Sequence, residues 1–176
     1  MESMLRLLVV DDDEFDRMAL RRALQKSDLP FSLQEIDSAE AGMAMLMSQP
    51  FDCAFLDYLL PDSDGLTLVR KLRASGVEIP LIALTGQGNE ETAVSLMKAG
   101  MSDYLLKSKL SSSTLAPAIH RSIRVYRAER EAALANQNLK AANELLKRTN
   151  QELEKQREQI QRRNLQLLEV SRLKSE

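Results

Sequence analysis

The chain is short of several things at once, and each shortage excludes something. Its only cysteine, Cys53, sits inside an apolar run, so a disulfide framework is excluded and a reducing compartment is expected. No apolar run approaches the length of a membrane span, Leu5–Val10 being far too short, and no secretory leader is visible. A soluble, cytoplasmic protein without membrane contact is the expectation. Charge of one sign is also lacking: 24 Lys and Arg stand against 26 Asp and Glu, a formal net charge of −2, which gives no support for a nucleic-acid partner.

The sharpest shortage is local. All six glycines and all five prolines lie at or before Pro117, and from Ala118 to Glu176 neither occurs. Gly and Pro punctuate compact folds, so their absence over this stretch predicts one long helix. The chain therefore divides near residue 120 into a globular part and a helical part.

What is present in the globular part alternates in type. Short apolar runs at Leu5–Val10, Phe31–Ile36, Cys53–Leu56, Pro80–Leu84 and Tyr104–Leu106 predict strands. Helix-like stretches lie between them at Glu14–Lys26, Ser38–Ser48, Asp64–Ala74 and Asn89–Ala99, and a fifth starts near Ser112. Ser38 suits a helix cap, Pro50 follows that helix, and Gly76 and Gly100 suit the positions after the third and fourth. Five strands alternating with five helices predict an α/β fold with a parallel sheet covered on both faces. The flavodoxin-like (βα)5 order 2-1-3-4-5 is the expected topology.

In such sheets ligands sit outside the carboxyl ends of the strands, where the strand order reverses. Here that point lies between "VVDDDE" and "FLDY", so Asp11, Asp12 and Asp57 are expected to share one crevice. Adjacent carboxylates repel unless a cation joins them, and this hard-oxygen set suits Mg²⁺ (or Mn²⁺). The blander alternative, that Asp11–Asp13 serve only the dipole of the first helix, does not explain a third acid across the sheet. Strand 4 ends "LIALTG", which adds the Thr85 hydroxyl and the small Gly86; strand 5 ends "DYLLK", which adds Lys107. A carboxylate nucleophile, a metal, a hydroxyl and an ammonium around one crevice suit phosphoryl transfer to Asp57.

With these residues in place, positions 4 to about 124 resemble a bacterial response-regulator receiver domain, through "LLVVDDDE", "FLDYLLPDSDGL" and "LIALTGQGNEETAVSLMKAGMSDYLLK". The resemblance implies that Asp57 is the phosphoacceptor, supplied by a phosphohistidine donor protein or domain. It implies that Asp11 and Asp12 hold Mg²⁺ together with Asp57 and the backbone carbonyl of Leu59. Thr85 and Lys107 would sense the phosphoryl group, and Tyr104 would occupy the aromatic switch position. Two residues depart from the pattern: Ser108 stands where the family usually has proline after the lysine, and Leu59 puts an apolar side chain two residues after the acceptor. Haloacid-dehalogenase-like phosphatases also use an aspartyl nucleophile with Mg²⁺, but their second acid is missing from Asp57-Tyr58-Leu59, so sustained phosphatase turnover is not expected.

The tail carries Leu139, Leu146, Leu153, Ile160 and Leu167 at an unbroken seven-residue spacing, with Asn136, Asn143, Asn150, Arg157 and Asn164 at the companion positions. Leu at d with Asn at a predicts a parallel two-stranded coiled coil, hence a homodimer, with a core weakened by its polar layers. Ile119, Ile123 and Tyr126 follow another phase, which predicts a stutter near Arg127–Ala135. The expected domains are a receiver at 1–124 and a signalling helix at 125–176, continuous with the fifth receiver helix. His120, the only histidine, lacks the flanking motif of a phosphodonor, and no nucleotide-binding glycine motif follows residue 120. "LLEVSRLKSE" resembles the segment that leads into the dimerisation helix of sensor histidine kinases. A histidine kinase output is therefore the expectation, with a diguanylate cyclase or serine phosphatase as alternatives.

Overall fold

The computed structural model describes residues 4–87 and 90–174. Packing divides the chain into two compact units, Met1–Ala128 and Glu129–Glu176.

In the first unit the strands are β1 (Leu5–Val10), β2 (Phe31–Ile36), β3 (Cys53–Asp57), β4 (Leu81–Thr85) and β5 (Asp103–Leu106). All neighbours are parallel, in the order β2-β1-β3-β4-β5. The connecting helices are α1 (Glu14–Gln25), α2 (Ala39–Ser48), α3 (Gly65–Ala74) and α4 (Glu90–Ala99), and α5 (Ser112–Leu173) follows a short 3₁₀ turn at Lys107–Lys109. The flavodoxin-like architecture and strand order expected from the sequence are observed, with ends shifted by a residue or so. The expected start of the fourth helix at Asn89 lies outside the described residues.

Helices α1, α2 and α3 each begin where a side chain takes over unpaired backbone donors of the first turn. Asp13 accepts from the amides of Phe15 and Asp16, Ser38 from Ala41, and Asp64 from Thr67. Gly76 and Gly100 lie at φ +83° and +111°, in the left-handed region that a Cβ disfavours, where α3 and α4 end.

Strand alternation sorts the core into two layers. Leu8, Val10, Ala54, Leu56, Leu81 and Ala83 face the layer that buries Leu46 of α2, Leu68 and Leu72 of α3 and Leu96 of α4. Leu7, Val9, Cys53, Phe55, Ile82 and Leu84 face the layer that buries Leu20 and Leu24 of α1 and Leu115 and Ile119 of α5. Strands β3 and β4, both interior to the sheet, are buried throughout. A fully buried leucine or phenylalanine stabilises by roughly 1.5–3 kcal/mol, so the core holds the strand ends firmly enough to carry polar groups that are costly to bury. Burial also pushes the Cys53 thiol well above its ordinary pKa.

The second unit consists of the remainder of α5. Its regularly spaced apolar residues are open to solvent in the single chain: Leu139, Leu146, Leu153, Ile160 and Leu167 are all among the exposed large hydrophobic residues. His120 is an exposed residue of α5. Among the described residues, no helix is long and apolar enough to cross a membrane.

Candidate functional site

The β1–β3 register pairs Val9 with Phe55 and Val10 with Leu56. One residue further, the same register brings Asp11 opposite Asp57. Both acids continue the alternation of Leu7, Val9, Cys53 and Phe55, so both belong to the sheet face covered by α1 and α5. Lys107 follows Leu105, which packs against the same layer. Thr85 and Tyr104 have the opposite parity. The strand pattern thus places two acids and one base on one face at the carboxyl edge of the sheet.

Asp11, Asp12 and Asp57 bring one carboxylate oxygen each within 4.8 Å of one another. Asp11 and Asp57 are buried and Asp12 is exposed. The Lys107 ammonium lies among them, with Nζ 2.8 Å from Asp11 Oδ2, 3.1 Å from Asp57 Oδ1 and 2.7 Å from Asp16 Oδ2. Asp13, by contrast, serves as the cap of α1. The helix-start explanation therefore accounts for Asp13 and leaves Asp11 and Asp12 for the crevice.

Burial dominates the electrostatics. It lifts the Asp57 carboxyl above the usual carboxylate range, and the neighbouring Asp11 charge lifts it further, against the opposing pull of Lys107 and the Leu59 amide. Asp11 is raised by the same cause, only partly offset by Lys107 and the Asp13 amide. Burial lowers Lys107, but the surrounding carboxylates of Asp11, Asp16 and Asp57 outweigh it and hold the ammonium above its ordinary value. The base is securely charged, and the acids bear the cost.

Asp11 Oδ1 accepts the Asp13 amide at 2.9 Å. Its Oδ2, although close to Lys107, is buried with no well-directed hydrogen-bond donor. A buried carboxylate oxygen that shares its one lysine with other acids, and lies with Asp12 and Asp57 in one cluster, has the chemistry of a hard-cation ligand, so the residues present fit a divalent ion such as Mg²⁺.

The Thr85 hydroxyl is buried and donates to the Gln87 carbonyl at 2.7 Å. Tyr104 is exposed. The Leu59 side chain is 71% exposed, and its backbone amide supports the Asp57 carboxylate. A Cβ on Gly86 would meet nothing within 4 Å, so the crevice does not require a small residue there. All described peptide bonds are trans, including Lys107-Ser108, and Lys107–Lys109 form a 3₁₀ turn.

Several supporting residues are not evident from spacing alone. Asp16 binds Lys107 from α1. Arg17 donates to the Asp11 carbonyl at 2.6 Å, holding the end of β1. In the turn after β3, Asp62 accepts the Ala39 and Glu40 amides at the start of α2, both at 2.9 Å. Gly65 admits α3 against the acceptor turn, because a Cβ there would lie 2.9 Å from Tyr58 Cα and 3.1 Å from the Asp57 carbonyl. "DSDG" announces a turn, but a partner in another element leaves no trace in local sequence.

A flavodoxin-like sheet with a cation-competent acidic cluster and a half-buried lysine at its carboxyl edge defines a class of single-site α/β domains. The particular family follows from comparison with known proteins. Residues 7–120 match the response regulator receiver domain family, and the chain belongs to it. Over 107 residues it is 35% identical to the transcriptional regulatory protein RprY of Bacteroides fragilis, covering 61% of this chain and 44% of that protein. Over 103 residues it is 38% identical to the response regulator MprA of Mycobacterium tuberculosis, covering 58% and 44% respectively. The chain thus spans less than half the length of these curated relatives. Among solved structures, NtrX from Brucella abortus superposes with a TM-score of 0.66 at 26% identity, over 74% of this chain and 29% of that one. The signal receiver domain of an HD domain-containing protein from Pseudomonas fluorescens shares the fold with a TM-score of 0.65, at 24% identity, over 74% and 95%. Membership in the family makes this a phosphorylation-dependent switch domain of two-component signalling. The curated relatives are named as regulators, so the kinase output expected from the tail finds no support in them.

Proposed function

We propose that Asp57 accepts a phosphoryl group from a phosphohistidine donor or a small acyl phosphate. The observation that carries this reading is a buried strand-end carboxylate 3.1 Å from the ammonium of Lys107. An Asp57 oxygen attacks phosphorus in line with the leaving group; the new P–O bond forms as the P–N bond to imidazole breaks, and the imidazole leaves with that electron pair and takes up a proton from solvent. Lys107 neutralises charge on the transferring phosphoryl oxygens. Thr85, on exchanging its Gln87 bond for a phosphoryl oxygen, draws in the loop after β4, and Tyr104 follows as the switch residue. When bound by Asp11, Asp12, Asp57 and the Leu59 carbonyl, Mg²⁺ or Mn²⁺ supplies the remaining neutralisation of phosphoryl charge.

The output reading is that this change biases helix packing in a parallel homodimer formed by the heptad stripe of α5, with its Asn-rich positions permitting more than one packing state. The relatives' names favour control of a regulator's output over the kinase suggested by the tail. Intact-mass measurement after incubation with acetyl phosphate and Mg²⁺ tests the acceptor. One phosphoryl group should add to the wild type and none to Asp57→Asn; undiminished modification of that variant would sink the assignment.

A further inference from the structure

The shortest contact of Lys107 is not with the acceptor. Nζ donates to Asp16 Oδ2 at 2.7 Å in a well-formed hydrogen bond, against 3.1 Å to Asp57 Oδ1. An ammonium has three N–H donors, and three carboxylates surround this one: Asp11, Asp16 and Asp57. Asp11 and Asp57 have roles in the acceptor chemistry; Asp16 has none there. Its position is nevertheless fixed, in the first turn of α1, where its own amide donates to the Asp13 cap.

We propose that Asp16 is a positioning residue that competes with the phosphoryl group for Lys107 and so sets how readily the phosphorylated state forms. The inference rests on Asp57 being the acceptor. A phosphoryl oxygen on Asp57 needs the Lys107 ammonium, whose one well-formed hydrogen bond is held by Asp16, with Asp11 and Asp57 as ion-pair neighbours. Asp11 is fully buried and cannot release its counter-charge to water, whereas Asp16 is about one-third exposed (34%) and can. The phosphorylated state therefore forms at the expense of the Asp16 bond, and the unphosphorylated state is the one Asp16 favours.

The test is beryllofluoride binding with Mg²⁺ to the full chain, followed by ¹⁹F NMR. Asp16→Asn keeps the side chain's shape but removes its charge, and should bind roughly three- to tenfold more tightly than wild type, the range of a partly exposed charge-assisted bond. In a Lys107→Gln background the same change should have little effect, because the competition runs through the ammonium; a purely structural role would move affinity equally in both backgrounds. Thermal melts confirm that each variant is folded, and Asp16→Leu supplies a second substitution should Asp16→Asn be unstable. Unchanged or weaker binding by Asp16→Asn overturns the inference while leaving the acceptor reading intact, as does an undiminished effect without Lys107. Absence of beryllofluoride binding by the wild type overturns both.

Discussion

Asp57 is a costly residue for the fold that contains it. Its ionised form is disfavoured by burial and by Asp11, so at neutral pH the carboxylate charge subtracts from stability. Asp57→Asn should therefore raise Tm in divalent-free buffer by roughly a few degrees. Mg²⁺ should narrow the gap, because a ligand held by the native carboxylates stabilises only the native state of the wild type. Calorimetry with and without Mg²⁺ checks both, and a lower Tm for the variant would mean that the Lys107 pair outweighs the burial cost. At this scale Asp11, Asp12, Asp57 and Lys107 were legible because each closes an apolar run, and a run's end fixes where its side chain emerges. Asp16 was not legible: it lies inside a helix pattern, and its value comes from a partner 91 positions away.

The loop after β3 shows how elements are joined by acids that have no part in the crevice. Asp64 starts α3 and Asp62 reaches across to the start of α2. Backbone amides hold Asp62 below the ordinary carboxylate value of 3.8, and the Thr67 amide does the same for Asp64. A depressed folded-state pKa gives stability that is fully present above the unfolded value and lost as pH falls through the folded one. Asp62→Ala should consequently lower Tm at pH 7, and the deficit should shrink as pH falls below about 4 toward the range where Asp62 is protonated in the folded as well as the unfolded wild type. Melts across that range decide it; a deficit independent of pH would assign the effect to packing. Strands and helices were legible here from alternation and capping signals. Bracing of α2 by a residue beyond β3 was not, because it depends on how two loops meet.

Over the whole molecule, a five-stranded sheet accounts for one unit, while the other presents Leu139, Leu146, Leu153, Ile160 and Leu167 to solvent along one helix. A stripe of this length is stable in water only when covered, and the Asn positions beside it suit a second identical chain in parallel register. Sedimentation should show a dimer for the full chain and a monomer, or a much weaker dimer, for a chain ending near Arg127. Single cysteines at Gln156 should cross-link to each other across the dimer; preferential pairing of Gln156→Cys with Ser171→Cys would refute parallel pairing. The heptad period was legible because it is a property of one helix, and the single chain shows that stripe open to solvent.

Such experiments benefit from the burial of the native thiol. Cys53 lies in a central strand at 0% exposure, with its thiolate strongly disfavoured, so maleimide reagents will find almost no nucleophile on the native protein at neutral pH. The wild-type chain is in effect its own cysteine-free background: one introduced thiol on α5 can carry a fluorophore, spin label or cross-linker without any compensating change in the sheet, and labelling of Cys53 itself reports unfolding.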